Sequence, residues 1–159
     1  MLNLLVLNKH FMKTIGRIDK ADFPELDLQD IKIKVDTGAF TSSIHSHEIK
    51  EVEINGEKYI EFKLLDPSYP VYDSRVFKTK NYEEKAVKSS FGDVEKRFII
   101  ETKILIFEQE YPIKLSLSER SDMKFPILLG RRFLNKKFIV DTSRKNTSFK
   151  MKRIKKKNK

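Results

Sequence analysis

The sequence predicts an all-β fold, a barrel or a sandwich, with one short helix near the C-terminus. Three observations indicate this class. Apolar residues mostly recur at every second position, the candidate strands are short and separated by turn residues, and helical periodicity is almost absent. A length of 159 residues fits one domain with a substantial hydrophobic core.

The first half of the chain contains a predicted strand and a predicted hairpin. Residues 31–35 alternate isoleucine or valine with lysine, which is the pattern of a strand with one buried face. Residues 52–54 and 59–62 also suit strands, and they flank Asn55-Gly56, a dipeptide typical of a two-residue hairpin turn. We therefore expect two antiparallel strands joined at this turn.

The second half contains four further predicted strands and the helix. Residues 98–107 are rich in β-forming residues, and residues 113–118 alternate cleanly. Residues 125–130 form an apolar run that ends in glycine, as in a strand buried on both faces. Residues 131–135 are the best helix candidate, and residues 138–140 form the last short strand.

Composition limits the class of protein. Charged residues make up 35% of the chain and apolar residues 39%, as in globular proteins. The absence of cysteine excludes disulfides, a cysteine nucleophile and thiolate metal sites, and it fits a reducing compartment. The N-terminal apolar run lacks a signal-peptide pattern, and no run approaches the roughly 20 apolar residues of a membrane span. We expect a cytoplasmic protein without membrane contact.

The positive charge is concentrated at the C-terminal end. The net charge is +10, but nine of the 33 basic residues lie in 144–159, a segment without acidic residues. The rest of the chain has 24 basic and 23 acidic residues. We expect residues 144–159 to be a flexible, solvated tail. The same charge suits contact with nucleic acid or the ribosome.

One tetrapeptide, Asp36-Thr37-Gly38-Ala39, places an acid in a glycine-containing turn directly after the strand at 31–35. Two interpretations are open at this point. Aspartate and glycine are common residues of surface turns. An aspartate placed in this way also suits an aspartic protease, which activates water between two carboxylates that share one proton. The chain supplies one such tetrapeptide.

A downstream segment favours the catalytic interpretation. Residues 126–131 end in Gly130-Arg131 and begin about ninety residues after Asp36. With the tetrapeptide, this segment resembles the retropepsin-like aspartic proteases. Further motifs resemble a bacterial branch of these proteins that has been labelled "ATP-dependent zinc protease" and is associated with ligases that add glutamates to a ribosomal protein. The matching motifs lie at residues 15–17, 34–39, 41–45, 120–123, 126–134 and 138–141.

The resemblance implies a fold, an assembly and a reaction. It covers about residues 14–143, which implies a retropepsin-like closed barrel there, preceded by an N-terminal extension at 1–13. It implies an aspartic endopeptidase that works as a homodimer, in which each subunit contributes Asp36 to one catalytic pair. Thr37 would brace this pair, and Gly38 and Ala39 would shape the loop beside a peptide substrate. The association with ligases implies glutamate-rich peptides as the substrate class.

Three arginines are candidates for binding acidic side chains, because guanidinium groups match carboxylates. They are Arg120, Arg131 and Arg132. The other interpretation, which we favour, is that they form structural ion pairs with Asp122, Asp141 or a partner subunit. Residues 67–91, which are polar with several aromatics, are expected to form either a flap over the cleft or an ordinary loop.

The metal and nucleotide functions in the family label have no motif in this chain. The zinc motif His-Glu-x-x-His and the phosphate-binding loop Gly-x-x-x-x-Gly-Lys-Ser/Thr are both absent from the sequence. His45 and His47 fall on the same side of a strand, where two imidazoles can hold a metal, but we expect neither metal nor cofactor. Asp141 lies in Val140-Asp141-Thr142-Ser143, a partial echo of the tetrapeptide in which serine replaces glycine, and it is the alternative candidate for a second aspartate within one chain.

Two other classes of function stay open on the sequence. One is a peptide-binding module with the retropepsin fold and no hydrolysis. The other is a domain that associates with RNA or the ribosome through residues 144–159.

Overall fold

The computed structural model describes residues 12–88, 91–119 and 124–159, and strands dominate in this part of the chain. The strands are β1 (Lys13–Ile15), β2 (Ile18–Phe23), β3 (Leu28–Val35), β4 (Ser42–Ile54), β5 (Glu57–Leu64), β6 (Val76–Thr79), β7 (Tyr82–Lys88), β8 (Val94–Ile106), β9 (Gln109–Ser118), β10 (Ile127–Leu129) and β11 (Phe138–Val140). The helical segments are a 3₁₀ turn (Pro24–Leu26), α1 (Arg131–Leu134) and α2 (Thr147–Lys157).

Six strands close into a barrel. They are hydrogen-bonded in the order β10, β3, β2, β8, β9 and β4, and β4 pairs with β10 to complete the ring. β5 and β6 extend the sheet beyond β4, β7 pairs with β8, and β1 forms a separate parallel pair with β11. The predicted all-β closed barrel is confirmed, and α1 begins at the predicted residue.

The core is filled by alternate residues of the strands. In β3 the apolar residues are buried, whereas the lysines between them are exposed, as the period of two predicts. The first and last residues of the apolar strand β10 are fully buried. Each such side chain contributes roughly 1.5–3 kcal/mol through removal from water. The buried residues of these two strands are Leu28, Ile31, Ile33, Val35, Ile127 and Leu129.

The predicted hairpin at Asn55-Gly56 is confirmed. These two residues join β4 to β5, and they have φ angles of 52° and 79°. Positive φ at both positions is the requirement of a type I′ turn, which asparagine and glycine meet with little strain.

Residues 67–91 do not form one structural unit. Their first part contains turns at Tyr69 and Tyr72, whose amides donate to the carbonyls of Asp66 and Tyr69. The next parts are strands β6 and β7, which pair with different neighbours, β5 and β8. The expectation of a single flap or loop is therefore corrected: this stretch contributes to two separate hairpins.

The C-terminal segment differs from the flexible tail that its charge predicts. Residues 147–157 form helix α2, and Ser148 near its start is buried. The carboxylate of Asp19, itself fully buried, accepts hydrogen bonds from the amides of Ser148 (2.9 Å) and Phe149 (3.0 Å). Asn146 precedes the helix but makes no capping hydrogen bond with its side chain. Asp19 in β2 therefore caps α2 from across the fold.

Acidic residues of the barrel also neutralise part of the charge of α2. Lys152 contacts Asp22 at 2.7 Å and Asp30 at 2.6 Å, and these contacts raise its pKa against the opposing effect of burial. Lys155 forms an ion pair with Glu108. Among the described residues, no helix has the length and hydrophobicity needed to cross a bilayer. The boundaries of the extension at 1–13, the domain at 14–143 and the segment at 144–159 stay a prediction.

The substitution Asp19→Asn tests the capping of α2. It leaves the side-chain volume almost unchanged but replaces one acceptor oxygen by a donor that faces backbone N–H groups. We expect a loss of about 2 kcal/mol in the free energy of unfolding, measured with denaturant. The matched control is Asp27→Asn, because Asp27 forms an exposed ion pair with Arg75, and its loss is expected to be below about 1 kcal/mol. Equal losses for the two variants would show that Asp19 does not support the helix.

Candidate active site

The tetrapeptide beginning at Asp36 lies at the end of β3, inside a turn held from both sides. The amide of Asp36 donates to the carbonyl of Leu129 in β10 at 2.9 Å. The amide of Ala39 donates back to the carbonyl of Asp36 at 3.2 Å, which closes the turn. The amide of Gly38 donates to Oδ1 of the Asp36 carboxylate at 3.1 Å. The carboxylate is half-buried and its direction is fixed by the turn that carries it.

The segment after β10 packs directly behind this turn, as the family resemblance implies. A Cβ atom at Gly130 would lie 2.7 Å from the carbonyl oxygen of Phe40, so the close approach requires glycine. The Gly130 amide donates to the buried hydroxyl of Ser42 at 3.0 Å. The next two amides, of Arg131 and Arg132, donate to the carbonyls of Ala39 and Phe40. The start of α1 and the aspartate turn therefore satisfy each other's backbone groups.

The three predicted arginines have different positions. The guanidinium of Arg131 donates to the carbonyls of Thr37 (2.9 Å) and Gly38 (3.0 Å), so it braces the aspartate turn. Arg132 lines a separate cleft with Lys114 and Lys137. Arg120 lies outside the described residues. Substrate binding by these arginines stays a prediction, and the contact that the structure gives Arg131 is with the turn itself.

Asp36 opens into a cleft of about 380 Å³, one wall of which is the β7–β8 hairpin. Lys85 of β7 and Arg97 and Ile99 of β8 line this wall. At the other end of the hairpin, Phe91 is 93% exposed. The segment that lines this wall of the cleft is therefore the β7–β8 hairpin, which begins later than the predicted flap at 67–91 and extends beyond it.

The sequence did not identify the residues of the hairpin and of the cleft floor as site residues. Lys85 and Arg97 are two among 33 basic residues, and Ser116 lies in an ordinary alternating strand. What brings them to Asp36 is the pairing of β7, β8, β9, β4 and β10, which the sequence does not specify by any local signal. Alternation within each strand shows which residues share a face, but not which face meets the cleft.

Two groups of the aspartate turn have no partner within the described residues. Oδ2 of Asp36 and the hydroxyl of Thr37 accept or donate no hydrogen bond there, and Thr37 is exposed. The alternative second aspartate, Asp141, is held by Ser143 and by Arg144, whose Nε lies 3.1 Å away. These contacts, those of Ser143 first, lower the pKa of Asp141. Asp141 is not among the residues that line the Asp36 cleft.

The two neighbouring histidines stack on the same side of β4, as predicted, with ring centroids 6.5 Å apart. His45 is buried and its Nε2 lies 3.0 Å from Asp66, a partner that the sequence did not indicate. The pKa of Asp66 is lowered, mainly by hydrogen bonds from Ser68 and further by His45. In the ranges that the structure describes, no three histidine, aspartate or glutamate side chains cluster as metal ligands.

Substitution of Arg131 by methionine tests whether the guanidinium holds the aspartate turn. We expect Arg131→Met to lower the free energy of unfolding by about 1 kcal/mol, because two charge-assisted hydrogen bonds to carbonyls are lost near the surface. Hydrogen exchange at the Gly38 and Ala39 amides should become faster. The matched control is the adjacent Arg132→Met, for which a change within about 0.5 kcal/mol is expected. Unchanged exchange in Arg131→Met would mean that the turn is stable without this contact.

Comparison with known proteins connects this geometry to a family. Two curated relatives are named "Probable alpha-L-glutamate ligase". The protein from Shewanella halifaxensis is 35% identical over 133 residues, and the one from Desulfotalea psychrophila is 35% identical over 139 residues. Both matches cover 81% of this chain but only 28% of the relative, so the chain spans about a quarter of their length.

A solved structure shares the fold. The protein Lpg0085 from Legionella pneumophila, of unknown function, superposes with a TM-score of 0.64 at 26% identity. The superposition covers 86% of this chain and 98% of that one. A family model described as "Retropepsin-like aspartic endopeptidase RimB" matches residues 14–151. With the closed barrel and the aspartate turn against β10, this match shows that the chain belongs to the RimB-like family of retropepsin-like proteins.

Proposed function

We propose that this protein is an aspartic endopeptidase that works as a homodimer, with Asp36 of each subunit in one water-activating pair. The observation that carries this proposal is the position of Asp36. Its carboxylate is fixed by the amide of Gly38, opens into a cleft of about 380 Å³, and keeps Oδ2 without a partner in the described part of the chain. An ordinary surface turn needs neither the cleft nor the packing of Gly130 behind it.

The dimer supplies what a single subunit lacks. One carboxylate can accept a proton from water, but aspartic-protease chemistry needs a second group that donates a proton at the same time. A two-fold axis beside Asp36 brings an identical carboxylate and an identical Thr37 to the site. The exposed Thr37 hydroxyl is then available to bond across the axis. Phe40, which is 52% exposed next to the turn, is an apolar side chain that such an interface or a bound peptide would cover.

The reaction follows from the pair. The ionised carboxylate removes a proton from a water molecule as its oxygen attacks the peptide carbonyl carbon, and the protonated carboxyl donates its proton to the carbonyl oxygen. The resulting tetrahedral gem-diol then breaks at the C–N bond: the nitrogen leaves with a proton from the pair, and one hydroxyl of the diol returns its proton to the pair as the carboxyl product forms. One water is consumed and each product carries one new terminus. The two carboxylates return to the state with one shared proton.

The proposed substrate is a glutamate-rich peptide or tail. The relatives that match this chain are named as probable α-L-glutamate ligases, and the match occupies only 28% of their length. A ligase that adds glutamate and a peptidase domain in the same polypeptide have related tasks if the peptidase acts on the glutamate chain. The proposed setting is the cytoplasm, to which a chain without cysteine is suited.

A second candidate function rests on helix α2. Lys150, Lys156 and Lys157 are exposed and form no ion pair with the described residues, in contrast to Lys152 and Lys155. Residues 144–159 contain no acidic residue, so these lysines form a positive surface. We propose that this surface is where nucleic acid or a ribosome contacts the protein, through phosphate groups.

Mixed dimers test the catalytic pair. Asp36→Asn should remain folded and dimeric and lose at least about 10³-fold in turnover of a glutamate-rich peptide. Wild type and Asp36→Asn are then mixed in equal amounts and allowed to exchange subunits. The mixture should show about one quarter of the activity of the same total concentration of wild type, because random pairing makes one quarter of the dimers all wild type. A residual activity of one half would mean that each subunit works alone. Full activity in Asp36→Asn would leave the non-catalytic module as the better hypothesis.

Neutralisation of the free lysines tests the surface of α2. The triple variant with glutamine at Lys150, Lys156 and Lys157 should bind single-stranded RNA more weakly than wild type. The slope of log affinity against log salt should decrease by about 2, since each lysine that contacts a phosphate contributes about 0.7. The control carries glutamine at Lys58, Lys78 and Lys80, which are paired with glutamates elsewhere. Fluorescence anisotropy gives both quantities, and an unchanged slope in the α2 variant would remove this candidate.

A further inference from the structure

Strand pairing places four side chains in one row across the floor of the Asp36 cleft. Ile99 of β8 lies opposite Ser116 of β9, Ser116 lies opposite Ser43 of β4, and Ser43 lies opposite Leu128 of β10. Directly opposed residues on neighbouring strands point to the same face of a sheet. All four residues line the cleft that contains Asp36. The row therefore begins at the hairpin wall and ends next to the aspartate turn.

Two cations lie beside this row. Arg97 precedes Ile99 by two residues, so it points to the same face, and Lys85 is directly opposite Arg97 in β7. Both line the cleft, and among the described residues of its lining Asp36 is the only acidic one. Lys85 makes no hydrogen bond or ion pair with a described residue. Arg97 makes one long contact of 3.4 Å, with Glu95, whose side chain is 65% exposed.

Ser116 supplies an independent observation at the same site. It is 7% exposed, and its hydroxyl oxygen is buried without a hydrogen-bond partner among the described residues. A buried hydroxyl without a partner is unfavourable by about 1–3 kcal/mol. It is therefore uncommon, and such groups often point to a ligand or to a water molecule that the ligand replaces. Ser116 is one of the residues that line the same cleft as Lys85 and Arg97.

We propose that Arg97, Lys85 and the Ser116 hydroxyl form a subsite that binds the carboxylate of a glutamate side chain next to the scissile bond. The guanidinium of Arg97 and the ammonium of Lys85 provide the charge, and the serine hydroxyl donates a hydrogen bond. A neutral glutamine would leave the two cations without an anionic partner and place an amide N–H₂ against them. The subsite rests on the proposed function, because it assigns the cleft to a peptide, and it makes the hairpin the part that selects acidic substrates.

The test is a double-mutant cycle on binding, made in the Asp36→Asn background so that the peptide stays intact. The probes are a fluorescein-labelled tetraglutamate peptide and four peptides in which one glutamate at a time is replaced by glutamine. We expect one replacement to weaken binding by about 10- to 100-fold, the range for a charge-assisted pair. When Arg97→Met is added, the same replacement should weaken binding by less than about threefold. Arg97→Lys should restore part of the preference.

Ser116→Ala separates a binding role from a structural one. Because the hydroxyl has no partner among the described residues, its removal should leave the melting temperature unchanged or raise it. Affinity for the tetraglutamate peptide should nevertheless fall by about 3- to 10-fold. The control Arg75→Met removes an arginine that pairs with Asp27 outside this cleft. It should change neither the affinity for the tetraglutamate peptide nor the glutamine penalty, which is the loss of affinity when one glutamate is replaced by glutamine.

Three results would overturn the subsite: no measurable binding of the tetraglutamate peptide, an undiminished glutamine penalty after Arg97→Met, or loss of folding stability without loss of affinity in Ser116→Ala. Hydrolysis is measured separately with wild type. If wild type shows no hydrolysis that depends on Asp36, but the Arg97-dependent preference is present in Asp36→Asn, the proposed catalysis fails and the subsite stands. If hydrolysis occurs without that preference, the reverse holds.

Discussion

The structure around the site depends on the parallel pairing of β3 with β10. Val35 lies opposite Leu129, and the next amide along, that of Asp36, donates to the Leu129 carbonyl. This pairing ends at the same level on both strands. The aspartate turn and the start of α1 therefore meet, and the backbone groups that the strands leave free bond to each other. Gly130 permits the approach. The position of the carboxylate is therefore set by a sheet and by backbone hydrogen bonds, which are among the least deformable parts of a protein.

The same constraint leaves two polar groups of the turn without a partner among the described residues. Its backbone groups bond to β10, α1 and Arg131, whereas Oδ2 of Asp36 and the hydroxyl of Thr37 have no hydrogen-bond partner among the described residues. Polar groups in a cleft are normally satisfied by protein, water or ligand. A second copy of the turn would offer its own Asp36 carboxyl and Thr37 hydroxyl as hydrogen-bond partners for these two groups. In the proposed homodimer, a rigid turn and its symmetric copy would form the catalytic pair from one Asp-Thr-Gly-Ala segment per chain.

Features with a local cause were predictable from the sequence, and features with a non-local cause were not. The turn at Asn55-Gly56 follows from the backbone preferences of these two residues. The strand before Asp36 follows from the alternation of apolar and polar residues within it. The helix α2 was missed because its cap, Asp19, is about 130 residues away, and a run of lysines looks like a solvated tail without it. Arg97 was missed for the same kind of reason. Its place in the cleft depends on the register of β7, β8 and β9, which only the folded sheet defines.

The distribution of charge decides how an acidic peptide can be bound at all. Outside residues 144–159 the basic and acidic residues nearly balance, so the domain as a whole has little field with which to attract an anion. At the proposed catalytic pair the charge would be unfavourable for an anion, since two carboxylates with one shared proton carry about one negative charge. Lys85 and Arg97 offset this locally, and in a homodimer they are present twice. Because salt screens exposed charges beyond about 10 Å, such selectivity has to come from cations in contact with the substrate, and the β7–β8 hairpin is where the described cleft holds them.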